Sequence, residues 1–125
     1  MKALVTGATG FLGSNLIIEL LKNGVEIRAL VRPGSKTTNL KGLNVEIITG
    51  DLLDKASLDN AISGCDVLFH TAALYKLWTL RPNDFLKHNV DGTKNVLQAA
   101  LEADVSRVVY TSTASVFGHW KGGPI

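Results

Sequence analysis

One cysteine, Cys65, stands in a chain of 125 residues. It excludes an internal disulfide and any multi-cysteine metal centre, and it suits a reducing compartment, the cytoplasm. No charge of one sign dominates: 13 Lys and Arg against 11 Asp and Glu leave a net +2, and the basic residues are scattered. Without an electrostatic stripe, nucleic acid is not an expected partner. No apolar run approaches the ~20 residues that cross a bilayer. Met1 and Lys2 lead into three apolar residues and then glycines, too short a stretch for the core of a signal peptide. A membrane is therefore not expected either. His70, His88 and His119 have no carboxylate or second histidine at ligand spacing, so no metal is expected. Internal repeats and low-complexity tracts are absent as well. An apolar fraction of 46% with 19% charged residues describes one soluble globular domain over residues 1–125.

Glycine is what the chain has in number, and its placement carries the first chemistry. Thr6 to Gly13 read Thr-Gly-Ala-Thr-Gly-Phe-Leu-Gly, directly after the apolar run Ala3-Leu4-Val5. That order predicts a strand, a glycine turn through Thr9 and a helix N-terminus, the arrangement that holds a dinucleotide pyrophosphate. Gly7 lets the chain turn off the strand, Gly10 has no Cβ to block a phosphate, and Gly13 lets the helix approach the sheet. The helix, from Phe11 or Ser14 to about Lys22, points its unpaired N–H groups and positive end at the ligand.

Short apolar runs alternate with helix-like stretches, which predicts an α/β fold with a parallel sheet. Strands are expected at Lys2–Thr6, Glu26–Val31, Val45–Ile48, Val67–His70 and Arg107–Thr111. Asn23-Gly24 stops the first helix. A loop from Pro33 to Asn44 replaces or shortens the second crossover helix, and Ser57 to Ile62 reads as a short helix ending at Gly64. Leu74 to Pro82 is irregular and holds Tyr75, Trp78 and Arg81. A fourth helix spans roughly Asn83 to Ala103. At 100° per residue it turns Phe85, Asn89, Val96 and Ala100 to the sheet. A second row, Leu86, Val90, Leu97 and Leu101, either widens that contact or receives a partner helix, from another subunit or from further sequence. Lys87, Asp91, Lys94, Gln98 and Glu102 fill the opposite arc.

The remaining candidates sit at the ends of the expected strands. The acidic residue that binds an NAD ribose at the end of the second strand is replaced by Val31-Arg32-Pro33. An arginine pairs with a 2′-phosphate, and Ser35 and Lys36 follow within reach, which favours NADP over NAD. The alternative is an exposed loop arginine. Asp51, before Leu52, either accepts from an adenine amino group or caps the next turn. In His70-Thr71-Ala72-Ala73 the small residues let a cofactor lie against the backbone, while His70 reads as packed or hydrogen-bonded. Tyr110 to Gly118 ends the last strand with four serine and threonine hydroxyls. They serve either as donors to a substrate oxygen or as turn residues; no Gly-x-Ser-x-Gly elbow makes them nucleophiles.

Together, Thr6-Gly7-x-x-Gly10-x-x-Gly13, Asp51-Leu52, Asn89-Val90-Asp91-Gly92-Thr93 and Tyr110–Gly118 resemble the extended short-chain dehydrogenase/reductase superfamily, the NAD(P)-dependent epimerase/dehydratase group. Val31-Arg32-Pro33-Gly34-Ser35 and Tyr75-Lys76-Leu77-Trp78 look most like its dihydroflavonol-4-reductase-like and hopanoid-associated sugar epimerase branch. The resemblance implies a Rossmann-like doubly wound parallel sheet of about five strands, incomplete relative to the family. It implies that Gly7, Thr9, Gly10 and Gly13 meet pyrophosphate beside Phe11 and Leu12. Arg32, Ser35 and Lys36 would meet the 2′-phosphate, Asp51 and Leu52 the adenine, and Thr71, Ala72 and Ala73 the ribose and nicotinamide side. Thr113, with Ser112 as fallback, falls on the family's active-site serine or threonine, and Asn89 on an asparagine that shapes that site. The family's Tyr-x-x-x-Lys proton-transfer pair is not among the 125 residues, nor is its substrate-binding portion. The expectation is the cofactor-binding part of an NADP-dependent oxidoreductase or epimerase for a carbonyl/alcohol pair on a sugar nucleotide or similar small molecule, inactive as it stands. The alternatives are a non-enzymatic NADP-sensing module or a dimerisation module, with a homodimer formed through helix 83–103.

Overall fold

The computed structural model describes residues 1–75 and 83–117. Strand β1 (Lys2–Thr6) shows how the sheet is built. Its pleat sends Ala3 and Val5 to one face and Leu4 to the other, and all three are fully buried. A strand apolar on both faces needs cover on both. Helix α1 (Phe11–Lys22) supplies it on the Ala3 and Val5 face through Ile17, joined by Leu40 of the next loop. On the Leu4 face the cover is Leu58 and Ile62 of α2 (Lys55–Ile62) with Val96 and Ala99 of α4 (Gly92–Glu102).

Strands β2 (Glu26–Val31), β3 (Val45–Thr49), β4 (Val67–His70) and β5 (Arg107–Tyr110) complete a parallel sheet in the order β3-β2-β1-β4-β5. The expected doubly wound α/β architecture is present. The order reverses between β1 and β4, and ligands of such sheets bind outside the carboxyl ends of the strands at that point.

Turn chemistry sets the element ends. Gly24 takes φ +73° after α1, while Asn23 donates its side-chain amide to the Glu19 carbonyl at 2.8 Å. Asp54 accepts the Ser57 N–H at 3.3 Å as the cap of α2, so this helix begins at Lys55 rather than at the expected Ser57. Strand β3 runs one residue further than expected because Val31 stays paired with Thr49. Thr111 lies just beyond β5, although its N–H still reaches the His70 carbonyl at 3.0 Å. The loop after β2 holds only a 3₁₀ turn, Thr38–Leu40, in place of a crossover helix.

The last helix departs most from its expected form. It starts as α3 (Asn83–Leu86), passes through a π-helical turn at Lys87–Asp91 and continues as α4. The wider turn breaks the steady 100° count. Val96 and Ala100 do face the core with Ala99 and Gly92, whereas Phe85 and Asn89 are only partly covered. Leu86 and Leu101 of the second row are 62% and 72% exposed, so that row does not widen the core contact. Among the described residues no helix is long and apolar enough to cross a membrane. Lys76, Leu77, Trp78, Arg81, Pro82, Gly118 and His119 lie outside the described residues.

Candidate functional site

At the carboxyl end of β1 the three motif glycines do different work. Gly7 takes φ +69°, and a Cβ there would stand 2.7 Å from the Ala72 nitrogen. On Gly13 it would stand 2.2 Å from the Gly7 carbonyl oxygen, so both positions are closed by backbone. A Cβ on Gly10 would meet only the Gly7 carbonyl oxygen, at 3.2 Å, and Gly10 lines an open cleft. Gly10 caps α1 without a side chain, and no acidic residue stands in the helix's first turn. The N–H groups of Phe11, Leu12 and Gly13 therefore sit at a positive helix end with no carboxylate competing for them. An anion such as pyrophosphate fits there.

The cleft measures about 240 Å³. It runs along the strand ends, and most residues expected from the sequence meet in it. Gly7, Thr9 and Gly10 form its floor. One wall comes from Arg32 and Ser35, joined by a tight turn in which the Ser35 N–H reaches the Arg32 carbonyl at 3.1 Å. Pro33 and Gly34, at φ +75°, occupy the central positions of that turn, as a type II turn requires. Lys36 is exposed and is not a lining residue. Asp51 and Leu52 form the adjoining wall. Asp51 Oδ1 accepts the Leu53 N–H at 2.9 Å, so it shapes its own turn while facing the cleft; the helix cap itself is Asp54. Thr71, Ala72 and Ala73 close the far side.

Behind that far side lies a buried polar cluster. The His70 ring is fully buried, with Nδ1 2.7 Å from Thr6 Oγ1 and Nε2 3.0 Å from Thr93 Oγ1, and it stacks on Tyr110 at a centroid distance of 5.5 Å. Burial pulls its pKa from the usual 6.5 down to about 4, so the ring is neutral near pH 7. Thr6 Oγ1 also accepts the Ala72 N–H at 3.3 Å, and Thr71 Oγ1 donates to the Thr6 carbonyl at 2.7 Å. His70 is thus the packed, hydrogen-bonded histidine its sequence context predicts, and it ties β1, β4, β5 and α4 together beneath the cleft.

The residues expected to act on a substrate stand apart. Ser112 and Thr113 are exposed beyond β5 and do not line the cleft; the Thr113 carbonyl accepts the Val116 N–H at 3.3 Å. Asn89 spends its amide on the loop after β4. Its Oδ1 accepts the Leu74 N–H at 2.7 Å and its Nδ2 donates to the Leu74 carbonyl at 3.0 Å. It thereby holds the backbone of Leu74, a residue that lines the cleft. Sequence reasoning passed over Leu74 and His88, which line the cleft, and Asn39, which donates to the Thr9 carbonyl at 2.9 Å. Only the polar loop composition around Asn39 hinted at such a bond.

Fold and cleft define a doubly wound α/β module with an open cleft at the switch point of its sheet. The chain belongs to the NAD dependent epimerase/dehydratase family, whose model matches residues 3–125. It is 41% identical over 118 residues to the 4-hydroxy-2-methyl-3-oxo-4-farnesyl-3,4-dihydroquinoline-1-oxide ketoreductase of Stigmatella aurantiaca, covering 93% of this chain and 34% of that one. Among solved structures, gox2253 superimposes with a TM-score of 0.89 at 44% identity, over 98% of this chain and 37% of the other. The UDP-glucose 4-epimerase of Bifidobacterium longum, in complex with NAD+ and UDP, gives 0.82 at 26% identity, over 100% and 41%. The chain spans roughly a third to two-fifths of the length of the curated relatives it matches.

Proposed function

We propose that these 125 residues are the cofactor-binding part of an NADP-dependent oxidoreductase or epimerase working in the cytoplasm on a carbonyl/alcohol pair of a sugar nucleotide or similar small molecule. One observation carries the reading: a bare Gly10, a helix end without a side-chain cap and the Arg32 turn meet in a single cleft at the switch point of the sheet. Gly7, Thr9, Gly10 and the first-turn N–H groups of α1 would hold pyrophosphate beside Phe11, Leu12 and Gly13. Arg32 and Ser35 would hold a 2′-phosphate, with Lys36 adding charge from outside the cleft. Asp51 and Leu52 would take the adenine, and Thr71, Ala72 and Ala73 the ribose and nicotinamide side. When bound, the dinucleotide supplies hydride chemistry.

Thr113, or Ser112, would hold the substrate oxygen. A hydroxyl does not titrate near neutrality, and hydride transfer to a carbonyl needs an acid within hydrogen-bond reach of that oxygen. No Tyr-x-x-x-Lys pair is present in the sequence to serve as one. The 125 residues are therefore expected to bind dinucleotide without turning a substrate over. Titration with NADPH and NADH, followed by nicotinamide fluorescence, tests the reading. Tighter NADPH binding supports it, equal binding removes the 2′-phosphate role of Arg32, and binding of neither defeats it.

One observation favours a second, compatible reading, a homodimer through the last helix. Leu86, Val90, Leu97 and Leu101 are 38–72% exposed along the helix. A row of that kind suits burial against a second helix. Sedimentation of the wild type against Leu101→Glu checks it: a dimer that the substitution turns into monomer is expected, and a monomeric wild type contradicts it.

A further inference from the structure

Asn39 is exposed, thirty residues from the glycine turn, and yet its Nδ2 donates to the Thr9 carbonyl at 2.9 Å. The Thr9 carbonyl and the Gly10 N–H belong to one peptide plane. That N–H already bonds the Gly7 carbonyl at 2.9 Å, so the plane is held at both ends, once by its own turn and once by Asn39. The next residue, Leu40, is only 3% exposed and packs in the core cluster with Val5, Ile17 and Val31. The backbone under Asn39 is therefore anchored in close-packed surroundings. Between this anchor and the end of β2 lie Arg32, Ser35 and Lys36.

The geometry points to Asn39 as a positioning residue that locks the Arg32–Lys36 loop to the glycine turn, so that both anion-binding elements act as one and a dinucleotide bearing a 2′-phosphate is favoured. The inference rests on the dinucleotide reading proposed above. Asn39 acts through Thr9 and through the loop, with no contact to the ligand required of it. Holding both elements in their bound arrangement lowers the ordering cost of binding.

The test measures dissociation constants of NADPH and NADH for wild type, Asn39→Ala and Asn39→Asp, with the melting temperature of each ligand-free chain. The aspartate keeps the size but exchanges the donor for a negative charge, which itself opposes a 2′-phosphate, so the neutral alanine is the deciding variant. Loss of one such bond is expected to weaken NADPH about five- to tenfold in both variants. NADH is expected to weaken less than about twofold, and the ligand-free melting temperature to move by less than about 3 °C, because water replaces an exposed bond. A role confined to folding would lower the melting temperature and weaken both dinucleotides alike, and that result overturns the inference. So does a variant that keeps the wild-type preference for NADPH. A wild type that binds both dinucleotides equally, or neither, defeats the underlying reading and the inference with it.

Discussion

Strands β1 and β5 are both apolar, Lys-Ala-Leu-Val-Thr and Arg-Val-Val-Tyr, yet their surroundings are opposite. Ala3, Leu4 and Val5 are fully buried, whereas Val108, Val109 and Tyr110 are 40%, 41% and 51% exposed. The first lies between two strands with helices on both faces. The second pairs with β4 alone among the described residues. Burial is therefore decided by what packs on a strand, and the molecule divides accordingly. The glycine-turn end of the cleft rests on the close-packed part. The hydroxyls at Ser112 and Thr113 follow the open strand.

The strongest way to break this comparison is to attack the junction of β1 with α1. Gly13→Ala forces a Cβ to within 2.2 Å of the Gly7 carbonyl, and overlap with backbone of that kind is expected to cost more than about 3 kcal/mol or to prevent folding. Gly10→Ala meets one oxygen at 3.2 Å, so urea denaturation should show a near-normal fold while dinucleotide binding disappears. A Gly10→Ala chain that unfolds like Gly13→Ala would remove the distinction between packing glycine and ligand glycine.

The strands themselves offer the next comparison. Leu4→Ala leaves a cavity in a filled core and is expected to cost about 3 kcal/mol, against less than about 1 kcal/mol for Val108→Ala at a half-open position. Equal losses would mean that β5 is as firmly packed as β1.

His70 joins the two regions and is expected to make their union pH-dependent. Its pKa of about 4 lies below the ordinary 6.5 of the unfolded chain, so between these values the unfolded state binds more protons. Stability is expected to be full above about pH 6.5 and to fall as pH drops towards 4, by about 3 kcal/mol in total. Denaturation series of wild type and His70→Gln over this range check it, the variant lacking that part of the slope. The smallest effect on stability is expected at the cleft wall. Arg32→Ala should leave the denaturation midpoint nearly unchanged and weaken NADPH about tenfold while sparing NADH.

Much of the buried region is legible in the sequence, because each residue there answers to a local rule. Gly7 and Gly13 announce a turn against a helix, and the pattern at residues 3–5 announces a strand. His70 is readable as packed from its place at a strand end. The rest depends on contacts between distant residues. The bond from Asn39 to Thr9 crosses thirty positions, and the clamp of Asn89 on Leu74 exists only once the helix lies over β4. The π-helical turn at Lys87–Asp91 leaves no composition signal, so counting at 100° per residue misplaces Phe85 and Asn89. The open second row could be listed, but its exposure could not be settled until the register of that helix was known.

The most direct test of the central claim is an NADPH titration of the isotopically labelled chain, followed through its backbone amide resonances. The largest shifts are expected at Gly10, Phe11, Leu12 and Gly13, with Arg32 and Ala72 next and Val108 and Val109 unmoved. Binding that leaves the α1 amides in place, or shifts centred on β5, would contradict a dinucleotide site built on the glycine turn.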